Sequence, residues 1–271
     1  MTTSYECNSV AADPRAVSLA LRMLHGAGAA ALYAYRLDES IEFLAHGLLP
    51  NGSLVVAAAP EGMLGTLAPG FEVEVRMDVL KQTPDPAVSI VAASAHLLGS
   101  LSWAARKETA NLVAAGTLPE LVEATLSLPG ARLGFVEVER LVLHDLAGAT
   151  VIPLDALTRP FAVIEDEHAA FGAVARYDQE ALKDLCWAVM VDAVPGMVVS
   201  KGPLPHVCEH TADKVFCVDV DPNGVTVMIV GREETVLVHA SFDEPATSQT
   251  ELEDRVSRLM KDSAPLPIRR I

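Results

Sequence analysis

The sequence predicts an α+β protein: an antiparallel β-barrel over residues 1–160, then a smaller helix–three-strand–helix subdomain over 161–271. Three observations predict it. Phe71, Val73, Val75, Met77 and Val79 alternate with Glu72, Glu74, Arg76 and Asp78, the period of a strand with one wet and one buried face. The neighbouring apolar runs are separated by tight turns with few helices between them, which suits an antiparallel barrel and not a parallel α/β sheet. The composition then shifts near residue 160, where Glu165, Asp166, Glu167, Asp178, Glu180, Asp184 and Asp192 face only Arg176 and Lys183.

The elements follow in order. Asp13-Pro14 opens a helix, because Asp can cap and Pro fits a first turn. Val17, Leu21 and Leu24 share one of its faces, and Gly26 can end it. Residues 30–35 and 41–45 read as strands, and Asn51-Gly52 is a turn before a third strand at 53–59. The alternating strand spans 72–79, Pro84-Asp85-Pro86 makes a corner, and 87–101 reads as a long strand. Two short helices follow at 106–115 and 119–127. Residues 133–143 form another strand whose apolar phase slips near Arg140, as a bulge would make it.

In the second half, Leu182, Leu185 and Val189 repeat at helical spacing, so the acidic stretch reads as one or two amphipathic helices. Three strands are expected at 215–220, 225–230 and 235–242, with Pro222-Asn223-Gly224 as a turn. Ser248 and Glu251 have capping-box spacing, and Leu252, Val256, Leu259 and Met260 make the buried face of a final helix.

The charge balance excludes some function classes. Lys+Arg total 20 against Asp+Glu 36, a net charge of −16 over 271 residues. A general grip on nucleic acid or on an anionic membrane needs clustered Lys and Arg, so neither is expected. Residues 1–9 lack the pattern of a secretory signal, and the least charged stretch, 43–71, is broken by Pro50, Asn51-Gly52, Pro60 and Gly62. Cys7, Cys186, Cys208 and Cys217 form no Cys-x-x-Cys pair. The expectation is a cytoplasmic protein with reduced thiols.

Several residue groups carry possible chemistry. Gly26-x-Gly28-x-x-Ala31 imitates a dinucleotide fingerprint, but a helix precedes it and a strand follows, the reverse of the order phosphate binding needs. No nucleophile elbow, phosphate-binding loop, His-Glu-x-x-His or haem-attachment motif occurs. His206-Val207-Cys208-Glu209-His210 is the densest cluster of ligand types, but Pro203 and Pro205 make an exposed loop the plainer reading. His46 ends an apolar strand, and His96 sits inside one. Each is either a hydrogen-bonded core histidine or a ligand for haem iron. His144 and His239 lie near strand ends, and His168 reads as solvated. Arg76 on the wet face, Lys81 just beyond, and Arg106 and Lys107 close after Trp103 could hold a phosphate or a propionate; the alternative is surface ion pairing.

Certain local sequences fall in a familiar succession. Leu49-Pro50-Asn51-Gly52-Ser53 follows the strand bearing His46. Val75-Arg76-Met77-Asp78, Pro84-Asp85-Pro86-Ala87-Val88 and Ala95-His96-Leu97-Leu98-Gly99 come next. This resembles the actinobacterial branch of the haem-utilisation split-barrel proteins, relatives of flavin-binding pyridoxamine-phosphate-oxidase-like barrels. The tail, with Val236-Leu237-Val238 and Phe242-Asp243-Glu244-Pro245, resembles the small C-terminal domain often fused to them. The resemblance implies a six-stranded split barrel that dimerises and binds haem, flavin (FMN or FAD) or both in clefts at the dimer interface. It implies a role in haem utilisation or flavin-linked redox. A flavin-dependent oxidoreductase without a haem role is the alternative, and a cofactor-free structural or regulatory module is the third reading. On this basis His46 or His96 is the expected iron ligand, with His206 and His210 in reserve. Arg76, Lys81, Trp103, Arg106 and Lys107 are the expected cofactor contacts.

Overall fold

In a computed structural model, residues 13–158, 166–203 and 209–264 are described. Helix α1 (Pro14–Leu24) is capped by Asp13, whose carboxylate accepts from the Arg15 amide, and it buries Leu21 and Leu24 as the apolar spacing predicts. Strands β1 (Ala29–Ala34), β2 (Glu39–Leu48) and β3 (Leu54–Ala58) follow, then the short helix α2 (Gly62–Thr66). Strand β4 (Glu72–Gln82) and strand β5 (Val91–Trp103) form a hairpin; helices α3 (Arg106–Ala115) and α4 (Glu120–Leu126) come next, then β6 (Arg132–Asp145) and β7 (Gly148–Ile152).

The strand order is β3-β2-β1-β4-β5-β6-β7, and β3 also pairs with β6. That last pairing, Leu54↔Val136 through Ala58↔Arg132, closes six antiparallel strands into a barrel and leaves β7 as an extra strand on its margin. Closure explains why every residue of β3 is buried: it has a partner on each side, and Leu118 and Val122 beside and within α4 pack on Ala45, Val55 and Ala57. In β6 burial switches from Val136 to Leu141 and Leu143, the phase slip expected near Arg140. Strand β5 starts at Val91 and not at residue 87, because the corner continues through a backbone bond from Val88 to Asp85.

After a 3₁₀ turn at Leu154–Thr158 come α5 (Glu167–Ala175) and α6 (Gln179–Met190), capped by Asp166 and Asp178. The expected three-stranded meander is present as β9 (Lys214–Asp221), β10 (Gly224–Val230) and β11 (Glu234–Ser241), and it gains a fourth strand at one edge, β8 (Gly196–Pro203). The sheet order is β8-β11-β10-β9. Helix α7 (Gln249–Asp262) closes the fold, with Ser248 accepting from the Glu251 amide as the capping box requires. Val215, Cys217, Val225, Val227, Val236 and Val238 pack with Leu185, Val189, Leu252 and Val256 of the helices.

Two compact units result. One comprises Met1–Val79, Ala95–Leu143 and Ala149–Arg159; the other comprises Leu80–Ser94, His144–Gly148 and Pro160–Ile271. The second unit therefore includes the tip of the β4–β5 hairpin. Ala92 of that tip, with Val88 and Ile90, packs on Phe216, Val218, Met228, Val230 and Leu237 of the tail sheet. Among the described residues, no helix is long and apolar enough to cross a membrane.

Candidate functional site on the outer face of the barrel

The alternation in β4 sorts its side chains. Val73, Val75, Met77 and Val79 are buried, while Glu72, Glu74 and Arg76 are exposed. The neighbouring β5 buries Ala95, Leu97, Leu101 and Trp103 and turns His96 and Leu98 outward. Asp78 and His96 therefore lie on the same outer face, and they meet there. The His96 Nδ1–H donates to Asp78 Oδ1 at 2.5 Å. Arg76 braces the same carboxylate with Nε to Oδ1 at 2.9 Å and Nη2 to Oδ2 at 2.9 Å, and its Nη2 lies 3.5 Å from His96 Nδ1. The His96 side chain keeps 34% of its surface exposed.

A carboxylate can only accept from the ring, so this contact places a proton on Nδ1 and orients the imidazole through that nitrogen. The same face continues into the chain beyond β1, where Tyr35 Oη and Arg36 Nε both donate to Glu74 Oε2. Those two donors, Arg36 foremost, hold the Glu74 carboxyl below its ordinary range.

His46 is placed differently. It is 3% exposed, and its Nε2–H donates to the Met23 carbonyl of α1 at 2.7 Å. Burial lowers its pKa, with the Met23 bond a smaller opposing effect. Trp103 is 1% exposed; its Nε1–H donates to the Leu64 carbonyl at 2.9 Å, and the Arg132 guanidinium stacks 5.0 Å from its ring centre. Gly134 makes room for that indole, since a Cβ there would strike Trp103 and Leu101.

The cations proposed from the sequence do not form one set. Arg76 is on the outer face, but Lys81 falls on the opposite face of β4 and is buried at 4% exposure, paired with Glu167 and 4.0 Å from Asp219 Oδ1. Arg106 and Lys107 are exposed in the first turn of α3. His206 lies outside the described residues, and His210 is exposed in a turn. Among the described residues, no group of three His, Cys, Asp or Glu side chains is arranged to hold a metal ion. His239 is buried and bonded to Thr226, whereas His144 and His168 are exposed.

Two residues important to this geometry escaped the sequence reading. Asp78 was visible as one of the alternating charges and within Val75-Arg76-Met77-Asp78, with nothing to pair it with His96. Arg132 carried no sequence signal, because its partners Gly65 and Leu67 are backbone carbonyls far along the chain.

No protein-family model matches the chain, and no curated protein matches its sequence. Solved structures do. A haem-binding protein from Mycobacterium smegmatis superposes over 93% of this chain and 98% of its own, with a TM-score of 0.53 and 15% identity. A protein of unknown function from Agrobacterium tumefaciens aligns over 91% of this chain and 95% of its own, with a TM-score of 0.38 and 17% identity. A flavocytochrome from Azotobacter vinelandii aligns over 57% of this chain and 81% of its own, with a TM-score of 0.31 and 12% identity. At this identity the first likeness establishes a common fold, over nearly the full length of both chains.

Proposed function

We propose that the protein binds haem on the outer face of its barrel sheet, with His96 as the axial ligand to iron, in a haem-utilisation role. The observation that carries this is the Asp78–His96 contact. Ligand histidines commonly donate their second ring N–H to a carboxylate, which fixes the ring and makes the ligating nitrogen more basic. Asp78 stands in that relation to His96. The surroundings fit the group. Leu98, 45% exposed and two residues along the same face, offers apolar surface to a macrocycle. Haem would supply the iron chemistry, and the chain would bind and orient it. The fold shared with a haem-binding protein supports the same reading.

Haem is favoured over flavin for a chemical reason. An oriented imidazole can form a coordinate bond to an iron centre, whereas a flavin takes hydrogen bonds alone from it. A flavin phosphate calls for converging cations, and Lys81 is committed to Glu167 and Asp219. Between the two histidines, His46 has its Nε2 engaged by Met23 and fills core space. A second copy of the chain would complete the site by covering the exposed face, giving a homodimer.

Titration of the purified protein with haemin tests the proposal. The wild type should develop the Soret band of histidine-ligated haem, and His96→Ala should lose or shift it while keeping its far-UV circular dichroism. Identical spectra for the two proteins would overturn the assignment.

A further inference from the structure

The outward side of α6 is not that of an ordinary solvated helix. Glu180, Asp184, Trp187 and Val191 follow one another at spacings of four, three and four, so they form a single line along the helix and its end. Trp187 is 58% exposed and Val191 67%. The opposite side is conventional: Leu182, Leu185, Cys186 and Val189 are buried with the tail sheet.

The end of the helix is unusual too. The Asp192 amide donates to the Val189 carbonyl at 3.1 Å and the Ala193 amide to the Ala188 carbonyl at 2.7 Å, the bonding of a Schellman motif. Its left-handed position belongs to glycine by preference, yet Asp192 occupies it with φ 57°. A carboxylate there also stands at the negative end of the helix dipole. Neither the left-handed backbone nor the helix dipole favours an acid over glycine at this position, which directs attention to what the acid faces outside the fold.

The stripe is also held rigidly. Asp178 caps the helix, and the Gln179 amide clamps Val215 from both sides, Nε2 to its carbonyl at 2.9 Å and Oε1 from its N–H at 2.8 Å. The charges near Trp187 are mainly acidic: Glu180, Asp184 and Asp192, with Lys183 paired to Glu180 at 2.8 Å.

We propose that this stripe docks a basic segment of a partner protein. An arginine or lysine of the partner stacks on Trp187 between Asp184 and Asp192, and an adjacent apolar side chain covers Val191. Indole is the best aromatic face for a cation, and tryptophan is the residue most enriched among interface anchors. Charge complementarity selects the partner: a second copy of a chain carrying a net charge of −16 brings like charge, whereas a basic segment brings the opposite. The inference is independent of the haem reading.

The chain contains two tryptophans, and Trp103 is buried, so a change in the exposed-indole emission reports on Trp187. The probe is a synthetic amphipathic peptide of Leu, Ala and Arg, compared with its Glu-for-Arg counterpart. The Arg peptide should blue-shift the emission and bind more weakly as salt rises. Followed by the polarisation of a labelled peptide, Trp187→Ala and Asp192→Gly should each weaken binding about tenfold. Asp192→Gly should do so with no loss of melting temperature. The proposal is overturned by absence of binding, by equal binding of the Glu peptide, or by variants that bind as the wild type does. Dissociation of the protein's own oligomer by Trp187→Ala would also overturn it, because a second copy would then be the occupant.

Discussion

His46 and His96 differ in what faces them. A main-chain carbonyl holds His46 inside the barrel unit, and a carboxylate holds His96 on its surface. The buried ring has a thermodynamic signature. Because burial lowers its pKa below the ordinary 6.5, the unfolded chain takes up the proton first as pH falls. Its contribution to stability is therefore complete above about pH 6.5 and declines as pH drops toward the folded-state pKa. His46→Leu should flatten that part of the curve of urea midpoint against pH, and a curve with unchanged slope would contradict the account. The sequence showed both histidines on or beside apolar strands and could not rank them. Asp78 meets His96 through the pairing of β4 with β5, and Met23 comes from a helix whose docking no local pattern encodes; neither partner was legible in the sequence.

Strand parity was the most legible feature of the elements, and it also places Lys81. Lys81 continues the buried series Val73, Val75, Met77, Val79, so a lysine at that position signals a buried ion pair and not an extension of the Arg76 surface. Removing Lys81 takes the cation away from two carboxylates, Glu167 and Asp219, at a buried position. Lys81→Ala should cost about 3–5 kcal/mol, and replacing Lys81, Glu167 and Asp219 together by apolar residues should cost less. Denaturant unfolding of both variants distinguishes this from a pair without energetic weight. A second element-scale prediction concerns Gly99. A Cβ there would collide with the Glu137 carbonyl oxygen of β6, so Gly99→Ala should destabilise by roughly 1–3 kcal/mol or more, read as a lowered melting temperature. Two strands were missed in the sequence, β7 and β8; β8 contains Gly196, Gly202 and Pro203 and has no apolar alternation. It is an edge strand placed by its pairing with β11, so its cause lies in the sheet and not in its own residues.

For the whole molecule, the change in composition near residue 160 and the barrel-then-tail order were visible in the sequence. The way the second unit recruits residues 80–94 and 144–148 was not, because it depends on a hairpin long enough to bring Val88, Ile90 and Ala92 to the tail sheet. A chain ending at Thr158 would leave those side chains without their partners Phe216, Val218 and Leu237. Such a truncation should melt lower than the full chain and aggregate at concentrations where the full chain stays in solution, measurable by light scattering. The full chain should scatter as a dimer at micromolar concentration.

The central claim is that His96, oriented by Asp78, ligates haem iron. Free imidazole offered to His96→Ala with bound haemin tests it most directly, because a small ligand can occupy the position that the side chain vacates. The account predicts that His96→Ala loses the histidine-type Soret band and that imidazole restores it, while His46→Leu retains the band without any addition. A His96→Ala protein that keeps the wild-type band, and a His46→Leu protein that loses it until imidazole is added, would contradict the claim.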